Sequence, residues 1–137
     1  MTCDPTTDPT GRFIYKLLEH VGLSPNDVVF TNAVLCLPAA SSGKFPVSAA
    51  QRHACSSWLR RLIVDLDPKA VVTCGAQALN ATKLLERHGL TLKSNAGKLE
   101  NWFGRTLLPL YHPSALGRVS RPEKLQRLDI EALLPLL

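Results

Sequence analysis

The feature that most constrains the fold is a short, largely apolar run at residues 106–111, followed by His112-Pro113-Ser114-Ala115. Six residues are the usual length of a buried strand and too few for a buried helix. A strand that ends in His-Pro brings an imidazole to the edge of a sheet, and the proline stiffens the turn behind it. We therefore expect His112 to be available to a ligand at the end of a buried strand.

The rest of the chain alternates between helical and strand patterns. Apolar residues at helical spacing predict a first helix from Gly11 to Gly22, after an extended lead-in at residues 1–10. Apolar β-branched runs predict strands at 28–34 and 70–74. The remaining predictions are a long helix from Ser48, a helix at 76–88, an irregular basic segment at 90–105 and a final helix from Pro122 to Leu137.

Strand, helix, strand, helix, strand, helix is the order of an α/β protein with a parallel sheet covered on both faces. We thus predict one domain over residues 1–137, with a three-layer α/β/α architecture. Ligands in such folds bind outside the carboxyl ends of the strands, where Asn32, Gly75 and His112 fall. An amide and an imidazole together indicate a pocket for a polar planar ring.

The formal charge of +5 favours a polyanionic partner such as nucleic acid. No apolar run approaches the roughly 18 residues of a membrane span, and the N-terminus does not resemble a signal peptide. We expect a cytoplasmic protein without membrane contact, in which the four cysteines, none in a CxxC pair, form no disulfides. The basic excess is concentrated in the last third of the chain, at Lys93, Lys98, Arg105, Arg118, Arg121, Lys124 and Arg127.

Four segments in order resemble the uracil-DNA glycosylase superfamily, in particular its iron–sulfur families four and five. They are Thr31-Asn32-Ala33-Val34-Leu35-Cys36-Leu37-Pro38, Ala54-Cys55, Val72-Thr73-Cys74-Gly75-Ala76-Gln77-Ala78 and Tyr111-His112-Pro113-Ser114-Ala115-Leu116. The resemblance extends from about Thr10 to the C-terminus.

The resemblance implies a uracil-DNA glycosylase-like fold and excision of uracil from DNA by hydrolysis of the N-glycosidic bond, the first step of base excision repair. A uracil flipped out of uracil-containing DNA would be recognised by the Asn32 amide. His112 would stabilise the charge that develops on the departing base. Ser114 and Arg118 would bind phosphates near the flipped nucleotide.

The chain departs from the family at its N-terminal end. In the family, a first strand and a Gly-rich loop with the water-positioning residue precede the segments seen here, and Thr6 falls where an aromatic residue would stack on uracil. The first strand is central in the family's sheet, so we expect a sheet that lacks it. Asp4 and Asp8 are the nearest carboxylates to the missing loop, and a solvated lead-in is their simpler role. We expect impaired catalysis.

The resemblance also implies that Cys36 and Cys55 occupy the places of two later ligands of an iron–sulfur cluster. The two earlier ligands would come from the N-terminal region that this chain lacks, and a cluster normally needs three or four thiolates. We therefore expect a vestigial cluster site without a cofactor.

Three hypotheses follow. The first is a uracil-DNA glycosylase domain, an enzyme if the missing loop has a substitute. The second is a non-catalytic nucleic-acid-binding or partner-binding protein of the same fold, which the loss of the loop favours. The third is an α/β domain whose cysteines hold a structural metal, the weakest because CxxC pairs are absent.

Overall fold

The computed structural model describes residues 8–32 and 49–137, and for residues 49–55 it describes the backbone only. The helices are α1 (Pro9–His20), α2 (Ala49–Leu66), α3 (Ala76–Thr82), α4 (Leu92–Asn95), α5 (Ala115–Ser120) and α6 (Glu123–Ile130). The strands are β1 (Ala70–Cys74), β2 (Glu100–Trp102) and β3 (Arg105–Leu110), and two 3₁₀ turns cover Pro25–Asp27 and Glu131–Leu136.

The described strands form one sheet in the order β1-β3-β2. β1 and β3 are parallel, with Ala70 opposite Thr106 and Cys74 opposite Leu110. β2 is antiparallel to β3, because the chain reverses through the two-residue turn Phe103-Gly104. Both turn residues have left-handed φ angles, 49° and 69°, as the favoured two-residue hairpin turns require. The predicted α/β class is confirmed, but the sheet is mixed rather than wholly parallel.

Helices cover both faces of the sheet. Leu108 and Leu110 of β3 pack in one buried cluster with Phe13 of α1 and Ile130 of α6. Leu107, on the opposite face of β3, packs in a second cluster with residues of α2 and α3. Because adjacent residues of a strand point to opposite faces, β3 contributes to both clusters. The three layers are those that the alternating sequence predicts.

The predicted strand at 28–34 is wrong over residues 28–32, which form no strand, and its last two residues lie outside the described ranges. A strand needs a neighbour for its backbone hydrogen bonds, and no described segment pairs with this one. Val29 is 64% exposed, and Phe30 stacks on Tyr15 of α1 with 6.2 Å between ring centroids. Within the described chain β1 pairs along one edge only, with β3, and its Val72 is 37% exposed.

Three helix boundaries differ from the predictions. The final helix, expected to extend to Leu137, ends at Ile130 and is followed by the 3₁₀ turn at Glu131–Leu136. α1 begins at Pro9 rather than Gly11, because a side-chain oxygen of Asp8 accepts a hydrogen bond from the Thr10 N–H and caps the helix. Asp8 is therefore a helix cap and not part of a solvated lead-in. α3 ends at Thr82 rather than 88. Trp102 Nε1 donates to the carbonyls of Thr82 and Glu86, which fixes the turns after the helix.

Candidate functional site

The candidate site is built at the carboxyl ends of β1 and β3. Gly75 follows β1, and its N–H donates to the Leu110 carbonyl at the end of β3 over 2.8 Å. A β-carbon on Gly75 would lie 3.3 Å from Cβ of His112 and 3.4 Å from its Cδ2. The half-buried His112 side chain thus packs against the backbone of the neighbouring strand's end, at the edge of the sheet where the sequence places it.

The hydrogen bonding of His112 defines its tautomer. The Ser114 N–H donates to His112 Nδ1 over 3.2 Å, so the neutral ring carries its proton on Nε2. Burial lowers the pKa of His112 below its ordinary 6.5, and the negative charge of Asp8 opposes that shift. The neutral ring is therefore the main form at pH 7. It offers a neutral N–H donor, which can stabilise negative charge on an oxygen.

The turn after His112 is fixed by local hydrogen bonds. Ser114 is the N-cap of α5, and its hydroxyl accepts from the Gly117 N–H over 3.2 Å. A β-carbon at Gly117 would lie 1.8 Å from the His112 carbonyl oxygen, so only glycine permits this close approach. The turn is hence a compact unit that holds His112 and Ser114 in one arrangement.

Arg118 lies in the same unit. Its Nη1 donates to the Pro113 carbonyl over 3.3 Å, and its guanidinium carbon lies 4.8 Å from the centre of the Phe13 ring. No ion pair joins it to a carboxylate in the described part of the chain. Its positive charge thus lies in the same turn as His112 and Ser114.

Asn32 is exposed and belongs to the irregular segment at residues 28–32. Across the described residues, the structure shows no hydrogen bond between Asn32 and the turn at 112–118. Its predicted role in base recognition stays a prediction.

The comparison with known families decides the lineage of this site. The family described as the Uracil DNA glycosylase superfamily matches residues 4–133, nearly the whole chain. The chain belongs to this superfamily. The resemblance inferred from four short segments is thereby confirmed.

Curated relatives include two type-4 enzymes and one type-5 enzyme. The chain is 28% identical over 128 residues to the "Type-4 uracil-DNA glycosylase" of Thermotoga maritima, covering 93% of this chain and 64% of that protein. It is 29% identical over 119 residues to the type-4 enzyme of Saccharolobus solfataricus, covering 81% and 53%. It is 33% identical over 103 residues to the type-5 enzyme of Pyrobaculum aerophilum, covering 74% and 43%. The chain spans about half the length of these relatives.

The side chains of the cysteines predicted to mark a cluster site lie outside the part of the chain that the structure describes. Cys36 lies outside the described residues, and of Cys55 only the helical backbone is described. Over the residues that are described, no group of three or more His, Cys, Asp or Glu side chains could hold a metal ion. The described residues therefore provide no set of ligands for an iron–sulfur cluster, and the vestigial site remains a prediction.

Two exposed apolar residues of the site have no role predicted from the sequence. Leu116 and Val119 on α5 are 78% and 79% exposed, one turn apart on the helix that Ser114 caps. The sequence signal for these two residues is their position shortly after Ser114, the residue that begins the helix.

No helix in the described ranges has the length and apolar character needed to cross a membrane.

Proposed function

We propose that this protein acts on DNA as a uracil-DNA glycosylase-like protein, with His112 as the group that stabilises the departing base. The observation that carries the proposal is the half-buried His112 ring at the end of β3, whose Nδ1 accepts from the Ser114 N–H and whose Nε2 is left to donate, in a member of the uracil DNA glycosylase superfamily. Cleavage of the N-glycosidic bond leaves negative charge on the uracil ring. A preorganised N–H donor stabilises that charge without needing to lose a proton.

The surroundings of His112 suit a nucleic-acid strand. Among the described residues no carboxylate forms an ion pair with the Arg118 guanidinium, and a guanidinium is well matched to a phosphate. The Ser114 hydroxyl, while accepting from Gly117, keeps its own proton to donate. The exposed Leu116 and Val119 provide apolar contacts of the kind that proteins insert between bases. The proposal assigns recognition of the flipped uracil's edge to the exposed Asn32, as the resemblance implies.

The experiment measures removal of uracil from a single-stranded oligonucleotide by the purified chain. We expect uracil release that is lost in His112→Ala and Asn32→Ala. His20→Ala is the matched control, because His20 lies at the end of α1 and its Nε2 contacts Glu131 rather than the site. The proposal is supported if wild type and His20→Ala release uracil and the other two variants do not. Equal release by His112→Ala would refute the role of His112.

A second function is favoured by one observation. Asn32 lies in an exposed segment without described contact to the His112 turn, as expected for a protein that binds nucleic acid without reading or cleaving the base. Such a protein would bind uracil- and thymine-containing strands equally and would release no uracil. Its binding would weaken steeply with salt. Measuring affinity for both strands alongside uracil release separates the two functions.

A further inference from the structure

Three arginines follow β3, and they differ in the groups that their guanidiniums contact. They are Arg118, Arg121 and Arg127. Arg121 makes a bidentate pair with Asp129, with bonds of 2.9 and 2.7 Å. Arg127 pairs with Glu123 over 2.8 Å. Arg118, by contrast, contacts a ring and a carbonyl, neither of which neutralises it. Of these three guanidiniums, only that of Arg118 forms no ion pair with a described carboxylate; Glu123, which feels its charge, is paired with Arg127 instead.

Two contacts from different parts of the fold restrain this guanidinium. The Pro113 carbonyl accepts one of its N–H groups from within the turn. The Phe13 ring lies 4.8 Å beneath it from α1. Phe13 is 3% exposed and belongs to the cluster that includes Leu17, Leu108 and Leu110, so its ring is held by the core. A fixed aromatic face therefore supports a side chain that would otherwise sample many rotamers.

We propose that Phe13 is a positioning residue, whose ring holds the Arg118 guanidinium in place to bind a DNA phosphate beside His112. This inference rests on the proposed function. An arginine that is ordered before binding loses less conformational freedom when it meets the phosphate. Phe13 would thus increase affinity without touching the nucleic acid. The ring also links α1 to the turn after β3, two segments that are distant in the sequence.

The test is a double-mutant cycle of Phe13→Leu and Arg118→Gln in the full chain. Binding is measured by fluorescence anisotropy on a thymine-containing single strand, which cannot be cleaved as uracil is. We expect Phe13→Leu to raise Kd by roughly 3- to 10-fold, the effect of one side chain that must be ordered on binding. The slope of log Kd against log salt should stay unchanged, because the charge remains. Arg118→Gln should raise Kd as well, and it should reduce that slope by about the contribution of one phosphate contact.

The decisive result is the effect of Phe13→Leu in the Arg118→Gln background. If the ring acts through Arg118, it has no further effect on Kd there. An equal loss in both backgrounds, or no loss in the wild-type background, would overturn the inference. Leu17→Val is the control for a smaller side chain in the same helix and cluster, and it should leave Kd unchanged.

The same preparations separate this inference from the proposed function. A wild-type chain that binds the strand but releases no uracil refutes glycosylase activity, while the cycle still decides the role of Phe13. A wild-type chain that binds no DNA overturns both.

Discussion

The side chain of His112 packs directly on the backbone of Gly75, so closely that a β-carbon at position 75 would crowd the imidazole. Gly75 has a φ of 98°, in the region that favours glycine, and a β-carbon there would lie 3.3 Å from Cβ of His112. The parallel pairing of β1 with β3 brings the two residues together. The placement of the imidazole thus depends on a residue without a side chain.

Gly75→Ala should displace His112 and strain the backbone. We expect a loss of about 1–3 kcal/mol in the free energy of unfolding from the left-handed conformation, measured by urea denaturation. If the chain releases uracil, kcat should fall by about tenfold or more, because small displacements of catalytic groups are costly. The control is Gly89→Ala, where no atom lies within 4 Å and φ is outside the left-handed region. Equal effects of the two substitutions would contradict the role of Gly75.

Uracil release should be lost when the His112 ring becomes protonated. Below its pKa the ring gains a proton on Nδ1, and that nitrogen can no longer accept from the Ser114 N–H. Since burial lowers the pKa below 6.5, activity should be lost only as the pH falls through that lowered value. An NMR titration of the His112 ring, beside uracil release against pH, measures both quantities.

Asp8→Asn should shift the acid limb of the pH profile, the range over which activity is lost as the pH falls, to lower pH. The negative charge of Asp8 raises the pKa of His112 against the effect of burial, so its removal lowers that pKa further. Asparagine caps a helix about as well as aspartate, so α1 should keep its stability. A limb that moves to higher pH in this variant would contradict the assignment.

The parts of the fold that the sequence predicts are those with local causes. The runs at 70–74 and 106–111 form β1 and most of β3. The short helix α5 is not among the predicted elements, although its cause is also local: the Ser114 hydroxyl accepts from an N–H three residues ahead. The segment at 28–32 has the composition of a strand, but a strand also requires a neighbour to pair with. β2 carries no apolar run and forms only because the turn at Phe103-Gly104 brings it onto β3.

The candidate site likewise has a part that local sequence determines and a part that depends on distant residues. His112, Ser114 and Arg118 lie within seven residues, and one turn places all three. The Phe13 ring beneath Arg118 comes from a helix about a hundred residues earlier, and no periodicity in the sequence links the two. The end of α3 likewise depends on the distant Trp102, so a pattern of helical spacing alone extends that helix too far.

The free energy of unfolding should fall in mild acid because of the lowered pKa of His88. Thr82 Oγ1 donates to the Leu79 carbonyl and so accepts from His88 Nε2, while His88 Nδ1 accepts from the Leu90 N–H. Burial, and to a lesser extent Lys83, lower the pKa of His88 below 6.5. The unfolded chain then binds the proton first, so stability is complete above pH 6.5 and is lost as the pH falls through 6.5 toward the lowered pKa.

Urea denaturation at a series of pH values between 7.5 and 5 measures this effect. His88→Gln, which does not titrate, should show a smaller fall in stability than wild type over that range. Lys83→Gln should raise the pKa of His88 and narrow the window in which stability is lost. An unchanged pH dependence in His88→Gln would assign the fall to other groups.

Two ion pairs of nearly equal length in the C-terminal segment should differ in their contribution to stability. The Arg121–Asp129 pair is bidentate, and the Asp129 side chain is only 6% exposed. Asp129→Asn should cost about 1.5–3 kcal/mol, the range for hydrogen bonds to charged groups. The Glu123–Arg127 pair is spaced i,i+4 on the surface, and Glu123→Gln should cost about 0.5 kcal/mol or less. Urea denaturation at 0.05 and 0.5 M salt distinguishes them, since salt screens the exposed pair and not the buried one. Equal costs at low salt would mean that burial of Asp129 does not strengthen its bonds.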